Sequence, residues 1–503
     1  MQKRLKTPAR RDYQKVTGAF RKLRGGATVA DIVAKTALPI ATVRELVPLA
    51  ADEYSARLEV TESGEIRYSF PRGFTSKYRG IRARLRKAAE GLRRGVKTGG
   101  AWIFKVWIMV MLMGYFALFM VLALASLMLS IAASQSNSNN RSSNRGGDGM
   151  FMISGIFNMI IRIWFYSELF KAADPYYGPS RRAARRPKKS PLHRAIFSFV
   201  FGDGDPNAGW SVREKQGVIA YIQANRGVIS LGELMFLTGL PPAEAEGRIS
   251  AYCVEFGGSP EATEDGTVVY RFDELLLQAN TKDRVSGGYA APLKRLKPFS
   301  GNTAKMNRWF CVINAVNTLF GGYYLFNALA SGAVLTQAQL QASSFLYGIT
   351  YALCSSLVAN PFPFIVFGLG LTPLIFSLLF WLIPGLRSLK TAKDNEGIKL
   401  ENYRKDLFSR IWQNPLQVNP GTLGPQNAEC RPQNLAAAQD RLIKELGAYT
   451  MPEASVDSQG AVIYSFQELK REQEALNRYR ASIDPAASNL GKTVFDTEST
   501  TPS

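Results

Sequence analysis

The side chains whose type and spacing could do chemistry in this chain are mainly cationic, and they cluster beside its apolar stretches. The chain has 62 Lys and Arg against 40 Asp and Glu, a net charge of +22. Residues 72–97 hold ten Lys or Arg and one acid, and residues 181–194 hold seven and no acid. Such runs favour phosphate-bearing partners, either lipid headgroups or nucleic acid. The predicted headgroup contacts are Arg82, Arg84, Arg86, Arg181, Arg182, Arg185, Arg186, Lys188 and Lys189.

Residues that support catalysis or metal binding are scarce. His193 is the single histidine, which excludes most histidine-based catalysis and most zinc sites. The four cysteines lie far apart in the chain without paired spacing. The two acids of Gly202-Asp-Gly-Asp205 lack the further spaced oxygens of a calcium loop, so we expect a tight turn there. The sequence therefore predicts no enzyme, no catalytic or metal-binding residue and no cofactor.

Long apolar stretches predict helices that cross a membrane. The first is a hairpin over residues 100–170, with spans at about 106–132 and 150–170. The second is the region 305–388, which is uncharged from Phe310 to Leu386 and has spans at about 309–330 and 362–386. Residues 343–359 are predicted to form a re-entrant helix or an extra span. The proline pair of Asn360-Pro-Phe-Pro363 follows directly and breaks the helix there. Three, four or five spans remain open, and four fits the charge pattern best.

The distribution of Lys and Arg predicts the orientation. The basic runs flank the apolar regions on one side, whereas the loop at 332–342 carries no charge. Positive loops stay in the cytoplasm, so we expect both termini inside and a bacterial inner membrane as the location.

The pattern Gly-x-(Ile/Val)-x-Tyr-x-Phe occurs three times in the polar stretches, at residues 64–70, 266–272 and 460–466. Alternate residues of a strand share a face, so Ile66, Tyr68 and Phe70 are predicted to form one stripe that packs on neighbouring helices.

A shift of 202 positions overlays residues 16–70 on 218–272 without a gap. Thr28-Val-Ala-Asp31 then meets Ser230-Leu-Gly-Glu233, and each tetrad predicts a capped helix start. The predicted order is helix, short helix, turn, helix and hairpin. It resembles a winged helix-turn-helix domain over about 11–72 and 210–275. The third copy is looser, because its short middle helix is lost.

The predicted fold class is an α-helical multi-pass membrane protein with repeated α+β winged-helix-like cytoplasmic domains. The predicted domains are 1–98 (basic, winged-helix-like), 100–170 (transmembrane hairpin), 171–209 (basic linker), 210–300 (second winged-helix-like domain), 305–388 (transmembrane region), 395–470 (third, degenerate winged-helix-like domain) and 471–503 (polar tail). Beyond Ser482 we expect a disordered end.

The helices that would read DNA are poor in cations. The stretch from Pro39 to Glu53 has one Arg and three acids, and its counterpart from Pro242 to Cys253 has two Glu and one Arg. Carboxylates repel the phosphate backbone, so nucleic acid is disfavoured as a partner. We expect a membrane-anchored scaffold or adaptor that contacts membrane lipids and a protein partner. A membrane-tethered nucleic-acid-binding regulator and a transporter or channel are the alternatives. The oligomeric state is not determined by the sequence.

The run from His193 to Asn207, His-Arg-Ala-Ile-Phe-Ser-Phe-Val-Phe-Gly-Asp-Gly-Asp-Pro-Asn, leads directly into the second copy. With the strand Gly266–Phe272 it resembles a family of uncharacterised multi-pass membrane proteins of cyanobacteria and plastid envelopes. The resemblance covers about 190–275. Plant members of that family carry a label that links them to iron–sulfur cluster biosynthesis, so the resemblance implies such a link. The cysteines of this chain, however, lack cluster-ligating spacing.

Overall fold

The computed structural model describes most of the chain, in several stretches. They are residues 7–23, 26–70, 74, 81–136, 191–279, 292–332, 345–456, 460–484 and 489–497. The predicted span at 150–170 lies outside them.

The described α-helices are α1 Thr7–Lys22, α2 Val29–Thr36, α3 Ile40–Tyr54, α4 Ile81–Ser136, α5 Leu192–Phe201, α6 Trp210–Ala224, α7 Leu231–Thr238, α8 Pro242–Phe256, α9 Ala304–Ser331, α10 Phe345–Leu357, α11 Thr372–Gln413, α12 Leu435–Gly447 and α13 Gln467–Ser482. The strands are β1 Arg57–Thr61, β2 Ile66–Ser69, β3 Val228–Ser230, β4 Ser259–Ala262, β5 Val268–Arg271, β6 Glu453–Val456, β7 Val462–Ser465 and β8 Thr493–Asp496. Shorter elements are the 3-10 turns Asp273–Leu275, Pro420–Thr422 and Ala428–Cys430, the helical turn Pro361–Pro363 and the π-helix Phe364–Leu371.

The chain divides into two compact units, each built from separate stretches. The polar unit comprises residues 1–95, 204–298 and 388–503, and the apolar unit comprises residues 96–203 and 299–387. The three predicted soluble domains contribute to the first unit and the predicted spans to the second. We call residues 7–70, 210–279 and 401–466 the first, second and third segments of the polar unit.

The first and second segments have the same order of elements, three helices followed by a hairpin. In each, the short middle helix begins with a reciprocal capping box, Thr28 with Asp31 and Ser230 with Glu233. These boxes satisfy amide groups that a helix start leaves without a partner. The hairpins are antiparallel and turn at a glycine with positive φ, Gly64 in the first segment. The winged-helix assignment itself stays a prediction.

The third segment uses the end of α11, then α12 and the β6–β7 hairpin. Two 3-10 turns replace the short middle helix, whose loss the sequence predicts. One backbone pairing is common to all three segments. A residue upstream of the hairpin pairs with the tyrosine of the repeated pattern, namely Ala27 with Tyr68, Ile229 with Tyr270 and Val418 with Tyr464.

The stripe of alternating residues is only partly buried. In the first segment Tyr68 is buried and Phe70 packs edge-on against Phe20, with ring centroids 5.0 Å apart, but Ile66 is exposed. In the other two segments the final aromatic residue, Phe272 or Phe466, is fully buried. The prediction of one buried stripe is therefore wrong at its first position, because that residue lies next to the exposed turn.

The end of the chain was expected to be disordered, and this is wrong for β8. Thr493–Asp496 forms an antiparallel strand on β1, so the first sheet has the order β2-β1-β8. In addition to the backbone hydrogen bonds, an ion pair between Arg57 and Asp496 connects the two strands. Alternation over four residues is too short a signal to predict such a strand.

In the apolar unit, two of the described helices are long and apolar enough to cross a membrane, Gly99–Ile131 and Pro361–Gln413. They include residues 106–131 of the predicted span 106–132 and all of the predicted span 362–386. The predicted span 309–330 lies within α9, and 343–359 largely corresponds to the short α10. The number of crossings stays a prediction.

Small and amide side chains hold the apolar helices together. A Cβ atom at Gly370 would lie 3.0 Å from the Cβ of Leu325 on α9, so glycine permits this close contact. Asn314 donates from its amide to the carbonyl of Ser377, and Asn317 donates to that of Leu112. Both asparagines are fully buried, and both bonds join different helices.

Candidate interaction surfaces

The predicted headgroup contacts can be placed only in part. Arg82, Arg84 and Arg86 lie on the first turns of α4, and their side chains are outside the described residues. The basic residues from Arg181 to Lys189 lie wholly outside them. Their role in lipid contact therefore stays a prediction.

The amphipathic helix α5 carries the His193 end of the central run. It buries Ala195, Ile196, Phe199 and Val200 in the apolar unit. Lys105 of α4 lies over the ring of Phe197, with its Nζ 4.5 Å from the centroid. This contact combines apolar side chains with a cation.

The guanidinium group of Arg387 closes the end of α5. It donates to the carbonyls of Phe199 at 2.7 Å and Val200 at 3.2 Å, and its centre lies 4.3 Å above the ring of Phe299. Carbonyls at a helix C-terminus lack partners within the helix, and a cation there also interacts favourably with the helix dipole. Gly202, with φ of 79°, lets the chain turn beside this group.

The first acid of the Gly-Asp-Gly-Asp run is a structural acceptor. Asp203 accepts from the hydroxyl of Ser198 at 2.6 Å and from the backbone amide of Gly301 at 2.5 Å. The interpretation of this run as a turn is consistent with these contacts. Among the described residues, no cluster of three or more His, Cys, Asp or Glu could hold a metal ion.

The capping box of the first segment also binds the end of the second. The hydroxyl of Thr28 donates to the carbonyl of Leu277 at 2.7 Å, and Asp31 accepts from the amide of Ala279 at 3.0 Å. Asp31 is buried, with 3% of its surface exposed. The cap of α2 is therefore also a docking point for another segment.

The capping box of the second segment binds the helix that follows the third. Arg480 of α13 makes a bidentate contact with Glu233, with N–O distances of 2.8 and 2.5 Å. The hydroxyl of Tyr221 adds a bond to the same carboxylate at 2.6 Å. Glu233 is 3% exposed and Arg480 14%, so this is a buried ion pair.

A second acid lies at the same junction. Glu472 of α13 accepts from the backbone amide of Gly232 and the hydroxyl of Tyr449, both at 3.1 Å. Burial raises the pKa of Glu472, and the nearby Glu233 carboxylate adds to this effect. Two carboxylates therefore connect α13 with the start of α7. Glu233 forms an ion pair with Arg480, whereas Glu472 accepts from neutral groups.

A row of three asparagines holds the extended segment 292–298. Asn402 accepts from the amide of Lys294 at 2.9 Å and donates to its carbonyl at 2.8 Å. Asn207 makes the same pair of bonds with Arg295, at 3.0 and 2.8 Å, and Asn395 with Lys297, at 2.7 and 3.0 Å. These residues were not predicted from the sequence. The only signal is the seven-residue spacing of Asn395 and Asn402 on one face of α11.

The helices considered for DNA reading present acids beside their cations. Arg44 of α3 forms an ion pair with Glu274 at 3.1 Å, and Glu255 of α8 pairs with Lys215 of α6. A cavity of about 310 Å³ beside α8 mixes both signs of charge. It is lined by Lys215, Glu244, Gly247, Arg248, Ala251, Tyr252 and Glu255. Neither surface offers the uniform positive charge that binds phosphates.

The comparisons with known proteins give one distant relative. The chain is 23% identical over 398 residues to an uncharacterised chloroplastic protein of Arabidopsis thaliana, covering 77% of this chain and 70% of the relative. No protein-family model and no solved structure matches the chain. The predicted resemblance to a plastid protein is thereby confirmed as a distant similarity, and it extends well beyond residues 190–275.

Proposed function

We propose that this protein is a membrane-anchored scaffold or adaptor that displays winged-helix-like protein-interaction modules in the cytoplasm. The observation that carries the proposal is the helix Gly99–Ile131, of which only 22% is buried in its most apolar part. Core helices of soluble proteins bury such side chains, whereas here Trp102, Ile103 and Val121 are each more than half exposed. A lipid environment would cover these side chains without an energetic penalty.

The polar unit supports the scaffold part of the proposal. Three stretches that are separated by the predicted spans contribute to one compact unit, and α2 and α7 use their caps to bind later parts of the chain. Such a unit presents several helix and sheet surfaces on one support. The distant relative is chloroplastic, and the location proposed for this chain is a bacterial inner membrane.

The two alternatives have less support. A nucleic-acid-binding regulator would need free cations on α3 or α8, where Arg44 is paired with Glu274 and Arg248 shares a cavity with Glu244 and Glu255. A transporter or channel would need polar groups that line a path. The buried amides of Asn314 and Asn317 instead donate to carbonyls of neighbouring helices.

Three measurements on the full chain test the proposal. Reporter fusions at the C-terminus and at residues 270–290 should both report the cytoplasm, and the protein should stay in the membrane fraction during alkaline extraction. A reporter signal from the opposite side at residues 270–290, or release by alkali, would overturn it. Cross-linking in mild detergent followed by mass spectrometry then tests whether a protein partner is captured.

A further inference from the structure

The row of asparagines around residues 292–298 has the chemistry of a peptide-binding groove. An asparagine side chain carries an N–H donor and a carbonyl acceptor on one amide group, as a peptide unit does, so it can pair with an extended chain as a neighbouring strand would. Three such amides form both bonds with Lys294, Arg295 and Lys297. These hydrogen bonds are made to the main chain of the bound segment, so they do not depend on the side chains of that segment.

The spacing of the groove matches an extended ligand. Asn395 and Asn402 lie seven residues apart on α11, which corresponds to about 10 Å along a helix. Their partners Lys297 and Lys294 lie three residues apart, which corresponds to about 9–10 Å in an extended chain. One face of α11 therefore contacts the ligand at two points, and Asn207 contacts it from the loop between α5 and α6.

Acidic side chains add selectivity for cations. Glu401 pairs with Lys294, and Lys297 lies 3.0 Å from Asp394 and 3.7 Å from Asp205. Leu293 packs against the core of the polar unit. The groove thus combines main-chain recognition with acids at two ligand positions that lie three residues apart, and with one apolar contact.

We propose that this groove binds an extended basic segment of a protein partner, with the pattern Lys-x-x-Lys, and that residues 292–298 are its intramolecular occupant. The occupant lies in the groove without belonging to any described helix or strand, and Pro292, Arg295 and Pro298 are exposed. A partner segment would take its place by forming the same six main-chain bonds. The inference deepens the proposed scaffold function by naming the class of partner.

The test uses the full chain in mild detergent and a fluorescent peptide with the sequence of residues 292–298. The variant Lys294→Ser/Lys297→Ser weakens the intramolecular occupant without changing the groove. We expect this variant to bind the peptide at least tenfold more tightly than the native chain, measured by fluorescence anisotropy. Adding Asn395→Ala and Asn402→Ala should abolish binding.

A matched peptide guards against variants that fail to fold. Methylation of the two backbone nitrogens that correspond to Lys294 and Lys297 removes the donors to asparagine, and it should abolish binding to the folded double-serine variant. Hydrogen exchange of the native chain should rise at residues 294–297 when the unmethylated peptide is in excess. Equal binding of both peptides, or no binding to the folded double-serine variant, would overturn the inference. These results are independent of the reporter fusions, so failure of the membrane topology can be distinguished from failure of the groove.

Discussion

The first and second segments of the polar unit have the same capping box, yet they use it to hold different partners. Asp31 accepts a neutral backbone amide from Ala279, whereas Glu233 accepts the guanidinium group of Arg480. Both acids are at least 97% buried. The difference teaches that a repeated local motif can become a neutral contact in one place and a buried ion pair in another, depending on the chain that follows.

The two segments also differ where the short helix ends. Ala37 and Gly239 occupy equivalent positions, and both have positive φ, 53° and 71°. Lys405 packs against Gly239, with its Cα 3.1 Å from the position of an added Cβ. The second segment therefore requires glycine at a close contact, whereas the first tolerates alanine in a strained conformation.

The largest expected effect comes from removing the cation of the second junction. Arg480→Met leaves the Glu233 carboxylate buried without its ion-pair partner, which should lower the free energy of unfolding by about 3–5 kcal/mol. Urea unfolding of the protein in mild detergent measures it. The control is Arg478→Met, whose side chain is 65% exposed and pairs with Asp265 at the surface; it should cost less than about 1 kcal/mol. Equal costs would contradict the assignment of a buried ion pair.

The helix ends should respond in opposite directions to an exchange of residues. Gly239→Ala should destabilise the protein by about 2 kcal/mol, because the added methyl group is strained and meets Lys405. Ala37→Gly should stabilise it by up to about 1 kcal/mol, because glycine relieves the positive φ. Thermal unfolding of both variants provides the comparison. Two shifts of the same sign would show that the segments do not differ here.

The neutral junction of the first segment should be less sensitive than the charged one. Asp31→Asn keeps the shape but weakens the bonds from Thr28 and Ala279, so we expect a cost of about 1–2 kcal/mol. Asp12→Asn, in a surface pair with Lys15, is the control and should cost less than about 0.5 kcal/mol. A cost for Asp31→Asn as large as that for Arg480→Met would remove the distinction between the junctions.

The smallest effect concerns Lys405 of α11, which packs against Gly239 of the second segment and is only 6% exposed. Burial lowers the pKa of Lys405 to about 8; the Glu214 carboxylate opposes this shift, and the nearby charge of Lys294 contributes to it. Between this pKa and about 10.4 the unfolded chain holds the extra proton, so stability should rise with pH in that window by about 1.4 kcal/mol per unit. Below pH 8 the contribution is a constant penalty.

Lys405→Met removes this dependence. Relative to the variant, the native protein should gain about 1 kcal/mol between pH 8 and 9. Other groups, including Cys430 with a pKa raised to about 11, titrate in both proteins and cancel in the difference. Parallel stability curves for the two proteins over this range would show that Lys405 has an ordinary pKa.

Much of the local structure could be predicted from particular residues. The capping boxes at Thr28 and Ser230 and the glycine turn at Gly64 depend on neighbours close in sequence. The candidate groove could not be predicted. Asn207 and Asn402 are nearly 200 residues apart, and nothing in their local sequence distinguishes them from ordinary surface asparagines.

The sequence by itself determined the periodicities: where helices and hairpins form, where the glycine turns fall, and which stretches are apolar enough to leave water. These properties depend on short-range sterics and on composition. The tertiary structure alone decided which partner each buried acid received, which edge β8 joined and which backbone the asparagines hold. Those choices depend on contacts between residues far apart in the chain, and many pairings of similar energy are compatible with the same local pattern.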